Sequence, residues 1–212
     1  MQLRFIDTEA HAHATPLLAV PVLKDADASG GVLAALDSAL GGAVTRALSG
    51  AEMQGRPGDE VLVYGVDGSG PARVVLLGVG AASDLDAEGL RRMAGRAVRT
   101  AEKLRVDTVS VVLDGLPDLD DQVMAEAVAV GAGLATWRFR ELKAEDEENP
   151  ATDVTHVDVL GTGERDALAA GAMAGAAIAR GANFARTLQA RPGNVATPTH
   201  IADEAVRMAG SV

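Results

Sequence analysis

The stretch Gly161–Ala209 reads GTGERDALAAGAMAGAAIARGANFARTLQARPGNVATPTHIADEAVRMA, and its punctuation divides the chain. From Glu164 to Ala190 there is no proline, which predicts one helix of about 40 Å at 1.5 Å per residue. Glu164 and Asp166 near its start, and Arg186 and Arg191 near its end, suit the helix dipole. Pro192 and Gly193 stop it, and Thr197 caps a new helix with Pro198 at its first position. The row Ala167, Gly171, Gly175, Ala179 predicts a small-residue ridge that lets another backbone come close, with Ile178, Leu188 and Phe184 supplying bulkier contacts. A helix, a turn and a freshly capped second helix read as a joint. The expected division is therefore a domain over 1–160, a linker helix and turn over 161–193, and the start of a second domain, otherwise absent, over 194–212.

Upstream, apolar runs alternate with amphipathic ones. Gln2–Ile6 and Leu17–Leu23 (LLAVPVL) are predicted strands, the second buried on both faces. Gly31–Ser49 reads as a helix, with Gly41 and Gly42 weakening its middle. Glu60–Val66 and Arg73–Val79 form a predicted hairpin about the turn Asp67 to Pro71, which makes the sheet mixed. A helix is expected from Ser83 or Asp84 as N-cap to Leu104, then a strand over Thr108–Leu113 and a helix over Asp121–Thr136. Trp137–Lys143 is a predicted short extended piece, Ala144–Asp153 an acidic loop and Val154–Leu160 a last strand. This alternation predicts a three-layer α/β domain.

The 212 residues are 48% hydrophobic but only 2% aromatic, so the core is built from Ala, Val and Leu and offers few stacking surfaces. The net charge of −11, from 30 acids against 19 Lys and Arg, opposes a nucleic-acid partner. Lys24, Lys103 and Lys143 are the lysines, and the arginines are spread along the chain. Without cysteine there is no disulfide, thiolate metal site or Cys nucleophile. The N-terminal MQLRFIDTEA lacks a signal-peptide pattern, and the most apolar segment, Ala167–Ala179, has 13 residues, short of the roughly 20 a membrane span needs. A cytoplasmic protein is expected.

Two glycine turns precede helices as phosphate loops do. Gly78-Val79-Gly80-Ala81-Ala82-Ser83 lacks the third fingerprint glycine and a downstream ribose-binding acid, but Gly78, Gly80, Ser83 and Asp84 remain the best anion loop. Gly161-Thr162-Gly163 runs into Glu164, which repels phosphate, and reads as structural. His11 and His13 lack further ligands and read as a surface loop, while His156 and His200 carry no assigned role. Asp114, Asp118, Asp120 and Asp121 lack calcium-loop spacing, and Glu145–Glu148 is a solvated charge run. No catalytic residue and no metal ligand is assigned.

At the joint, Gly181-Ala182-Asn183-Phe184-Ala185-Arg186-Thr187-Leu188, Pro192-Gly193-Asn194 and Thr197-Pro198-Thr199-His200-Ile201-Ala202 resemble the interdomain segment of the leucyl (cytosol) aminopeptidases, a metallopeptidase family. That segment reads G-x-N-x-A-R-x-L-x-N-x-P-x-N-x-x-T-P-x-x-L-A. Arg73–Gly80, Glu88–Arg99 and Trp137–Lys143 are similar to further stretches of its N-terminal part. Ala190, Leu142 and Ile201 depart from the family's Asn, Tyr and Leu. Asp86–Arg91 (DAEGLR) echoes the family's catalytic signature, but the swapped Leu and Arg and the missing Asn and Thr exclude it. The resemblance implies a macro-domain-like α/β/α sandwich around a mixed sheet, followed by a long interdomain helix. It implies a non-catalytic domain serving assembly or regulation in a homo-oligomer, with Arg186, Asn194, Thr197 and Pro198 as interdomain markers. Peptide substrates and two divalent ions (Zn or Mn) belong, by the same resemblance, to the absent C-terminal catalytic domain. A stand-alone macro-like module binding ADP-ribose or a related nucleotide at Gly78–Asp84 is the alternative.

Overall fold

The computed structural model describes residues 1–65, 68, 70–117, 119–142 and 151–210. Asp67 and Ser69 of the expected hairpin turn, Asp118, Lys143 and the acidic run Glu145–Glu148 lie outside the described residues. Six strands form one sheet: β1 (Gln2–Ile6), β2 (Leu18–Leu23), β3 (Glu60–Tyr64), β4 (Arg73–Gly80), β5 (Thr108–Val112) and β6 (His156–Leu160). Their order is β1-β6-β5-β2-β4-β3. All neighbours are parallel except β3, which pairs antiparallel with β4 at the edge, Leu62 opposite Val75. The hairpin makes the sheet mixed, as its turn chemistry predicts.

Both faces of the sheet are covered, which is why its central strands are apolar at successive positions rather than at every second one. Leu17, Ala19, Val75, Leu77, Val109, Val111, Val157 and Val159 point to one side, against α3 (Ala87–Lys103) and α4 (Asp121–Ala135). Leu18, Val20, Val22, Val74, Leu76, Val112 and Leu160 point to the other, against α1 (Gly31–Ala39) and α2 (Ala43–Leu48). Pro21, unusual in a central strand, is tolerated because the ladder from β2 to β5 ends at Ala19, before its missing N–H.

The expected single helix over 31–49 is two. Gly41 and Gly42 take φ of +59° and +80°, a left-handed pair that reverses the chain rather than bending it. Asp37 fixes the break by accepting bonds from Thr45 N at 2.8 Å and Thr45 Oγ1 at 2.7 Å. The helix expected from Ser83 starts later. Ala82–Asp84 form a short 3-10 turn, buried Leu85 follows, and Asp86 is the true cap, accepting from Gly89 N at 2.8 Å. Trp137–Leu142 is irregular rather than extended, because its side chains are spent on the ends of neighbouring helices.

Two helices follow β6. In α5 (Arg165–Ala190) the cap is Glu164, accepting from Asp166 N and Ala167 N. In α6 (Pro198–Ala209) it is Thr197, accepting from His200 N with Pro198 in the first turn. The small-residue ridge of α5 meets α4. A Cβ on Gly171 would lie 2.1 Å from Gln122 O, and one on Gly175 2.5 Å from Glu126 O. Leu168 and Ala179 complete the buried stripe. Ile178 and Phe184, expected as bulky contacts of this helix, are instead exposed, because close backbone approach leaves no room for large side chains there.

Candidate functional site

Two features bear on function: the joint between α5 and α6, and a trough over α3. At the joint the last carbonyls of α4, which lack helical partners, are taken by α5. Asn183 Nδ2 donates to Gly133 O at 2.8 Å, and Arg186 Nη1 to Leu134 O at 3.0 Å. The Arg186 guanidinium also stands 5.2 Å over the Trp137 ring, an attractive cation–π placement, and Trp137 Nε1 donates to Thr187 Oγ1 at 3.0 Å. Arg186 thus ties α5 to α4 and to the segment after it.

Arg191, whose side chain sequence reasoning credits only with complementing the helix dipole, is the hub of the turn. It donates to both Glu141 oxygens at 2.7 and 2.8 Å, to Glu204 Oε1 at 3.2 Å, and to His200 Nε2 at 2.7 Å. Because guanidinium has only donors, His200 Nε2 accepts here. The bidentate pair with Glu141 holds the Arg191 pKa above its ordinary value and that carboxyl below the usual range. Glu204, buried, also receives Arg207 at 3.0 Å. Three elements, the 137–142 segment, the end of α5 and α6, are therefore joined through one side chain. Of the other expected markers, Thr197 is the α6 cap, Pro198 opens that helix, and Asn194 is exposed in the intervening turn, where Val195 N and Ala196 N donate to Pro192 O.

The trough, of about 1100 Å³, runs along the outer face of α3 between loop 56–58 and the C-terminal end of α4. Gly78, Gly80 and Asp84 of the expected anion loop line it; Ser83 does not, and its hydroxyl donates to Asp84 Oδ1 at 2.9 Å. Three of the loop's amides are already used: Gly78 N donates to Asp59 O at 2.9 Å, Gly80 N to Gly55 O at 2.8 Å and Asp84 N to Ala81 O at 3.0 Å. Its glycines serve packing, since a Cβ on Gly78 would lie 2.2 Å from Arg56 O. The second glycine turn is held by side chains, Asp114 Oδ1 accepting from Thr162 N at 3.0 Å and Asp121 Oδ2 from Glu164 N at 2.7 Å. Asp120 caps α4 through Val123 N. These acids are therefore structural rather than merely solvated.

His13 is not on an open surface loop. Ser110 and Asp158 are buried polar residues on adjacent strands and need partners. Residues 9–16 fold over them, with His13 Nε2 3.1 Å from Ser110 Oγ and Ser110 donating to Thr15 Oγ1 at 2.8 Å. Arg4 closes the row with two bonds to Asp158, at 2.6 and 2.9 Å. Both Ser110 and Asp158 face the same His13 nitrogen, at 3.1 and 3.8 Å, so the imidazole cannot relay a proton between them as a nucleophile's base must. Among the described residues no group of three or more His, Asp or Glu stands close enough to hold a metal ion, and no helix is long and apolar enough to cross a membrane.

Comparison with known proteins agrees with this architecture. Residues 19–146 match the family described as the cytosol aminopeptidase family, N-terminal domain. A probable cytosol aminopeptidase of Alkaliphilus oremlandii (strain OhILAs) is 32% identical over 186 residues, which cover 84% of this chain and 36% of the relative. One from Geobacter sp. (strain M21) is 32% identical over 197 residues, covering 93% and 39%. A tomato leucine aminopeptidase mutant superposes with a TM-score of 0.80 at 22% identity, over the whole of this chain and 42% of the other. The bottromycin maturation enzyme BotP in complex with Mn gives 0.67 at 26% identity, covering 92% and 36%. The chain thus spans well under half the length of these proteins. It belongs to the cytosol aminopeptidase family and carries that family's N-terminal domain.

Proposed function

We propose that this chain is the non-catalytic N-terminal domain of a metal-dependent leucyl aminopeptidase, and that it positions and assembles a following catalytic domain. Residues 1–160 are the macro-like body of that domain, 161–193 the linker helix and turn, and 194–212 the start of the next domain. The joint carries the reading. A helix of 26 residues seated on α4 leads into a turn whose central arginine grips α6, which is a rigid mount and not a loose tether. Arg186, Asn194, Thr197 and Pro198 set the direction in which the chain leaves this mount.

The parent reaction is removal of N-terminal residues from peptides, with two divalent ions, Zn or Mn, activating water. Those ions do not fit the donors grouped among the described residues, so no step of hydrolysis is derived from this chain. Its partners in this reading are a catalytic domain and further copies of itself, in the cytoplasm. The test is direct. The purified chain, supplied with Mn²⁺ or Zn²⁺ and leucinamide, is expected to release no leucine above the metal-only blank. Metal-dependent release that follows the protein through purification overturns the reading.

A further inference from the structure

The trough over α3 gathers cations that the sequence scatters. Arg91, Arg92, Arg96 and Arg99 come from α3, Lys24 and Arg56 from one wall, and Arg186 from the other. Seven of the chain's 19 Lys and Arg line it, against only Asp84, Asp86 and Glu88 of its 30 acids. Behind the lining, Asp59, Glu60, Glu102 and Glu126 pair with Arg56, Arg96, Arg99 and Arg91, so on a molecule of net charge −11 the trough surface is a local gathering of partly neutralised cations. Arg96 is spent on the fold, donating to Gly78 O and Gly58 O, each at 3.1 Å. Others keep donors for a ligand. Arg92 is 74% exposed with one bond to Glu88, Arg99 is 47% exposed with Glu102 at 3.6 Å, and no ion pair or side-chain hydrogen bond involves Lys24 among the described residues.

We propose that this trough docks a short acidic peptide segment of a protein partner, its carboxylates taken by the guanidinium groups of Arg92 and Arg99 and the ammonium of Lys24. The chemistry selects that ligand over other anions. A phosphate loop works through free backbone amides, and those of Gly78 and Gly80 are already bonded. No aromatic side chain lines the trough, so a nucleobase lacks the stacking platform that single-strand binders use. The cations stand on opposite walls of an open trough rather than converging on one point. From Glu88 to Arg99 the floor runs about 17 Å, the span of roughly five extended residues. Forked guanidinium donors match carboxylates two at a time. The remaining surface, rich in acids, repels a long polyanion and leaves room for a short one.

Fluorescence anisotropy with labelled hexaglutamate and the intact chain tests this. Saturable binding is expected, weakening as salt rises, because exposed charges are screened. The double variant R92A/R99A should bind about ten-fold more weakly or worse, since two charge-assisted contacts are lost. R165A removes an equally exposed charge elsewhere and should bind as the wild type does. K24E, at a side chain with no structural bond, should weaken binding even where the double variant folds poorly. Absence of saturable binding, unchanged affinity in R92A/R99A and K24E, or displacement of the peptide by pyrophosphate or ADP-ribose at lower concentrations than unlabelled hexaglutamate overturns the proposal.

Discussion

Arg191 shows how one side chain can decide the order of a whole segment. Its links to Glu141, His200 and Glu204 hold α6 against the end of α5, and α6 buries little else, Glu204 being its buried residue. In R191A, amide hydrogen exchange is therefore expected to speed up through Pro198–Ala209 while α3 and α4 stay as protected as before. Equal protection of α6 in both proteins would show that the helix is held by something other than this arginine. Because Glu141 is held below its usual range by Arg191, its contribution is present above the unfolded value of about 4.3 and fades only as pH falls through the lower folded one. Trp137, the single tryptophan and four residues from Glu141, reports on this by its emission, which should hold steady through that range and change below it. Glu102 behaves oppositely. Burial pushes its carboxyl up, Arg99 opposing, and Oε1 has no hydrogen-bond partner although Oε2 meets Arg138. The folded state then binds the proton more readily than the unfolded one, so wild type should gain stability relative to E102Q as pH is lowered from 7 towards 5. Urea midpoints at the two pH values measure this, and a difference that moves the other way sinks it.

At the scale of elements, α5 against α4 is the contact on which the fold's C-terminal half rests. In G171A the new methyl has to displace Gln122 O from 2.1 Å, and overpacking of this kind costs about 1–3 kcal/mol. Gly181 sits on the same helix with nothing within 4 Å of its would-be Cβ, so G181A should stabilise by about 0.5–1 kcal/mol through helix propensity alone. Thermal melts of the two variants should move in opposite directions. This ridge was legible in the sequence because its spacing of four is a property of one helix, as were the strands, whose apolar runs need no partner to be seen. The α1–α2 break was not. Gly41-Gly42 differs from a tolerated mid-helix pair only because Asp37 bonds Thr45 across it, a tertiary choice. The start of α3 was displaced for a similar reason: Ser83 and Asp84 are plausible caps, but burying Leu85 forces a turn first and leaves Asp86 to cap. The trough was hidden most completely. Its cations run from Lys24 to Arg186, and only the packing of α3 between loop 56–58 and the end of α4 brings them together.

For the whole molecule, what remains uncovered is informative. Between Asp166 and Arg186 the exposed positions of α5 carry one charge, Arg180, among Ala169, Ala170, Met173, Ala177, Ile178, Gly181, Phe184 and Ala185. On α6, Ile201, Val206 and Met208 are exposed as well. Exposed apolar residues of this kind suit an interface, and in the proposed two-domain enzyme the catalytic domain is the expected occupant. Methionine oxidation reads the matter site by site, because the sulfoxide forms where peroxide can reach the sulfur. Met173 and Met208 are 75% and 53% exposed, whereas Met53 and Met93 are 1%. In the isolated chain the first two should oxidise readily and the last two only on unfolding, as mass spectrometry of peptides will show. When the same chain is followed by its catalytic domain, Met173 and Met208 should be slowed several-fold while Met53 and Met93 are unchanged. Equal rates with and without that domain would mean that α5 and α6 face solvent in the enzyme, and that the second domain hangs from the Arg191 turn without resting on the helix that leads to it.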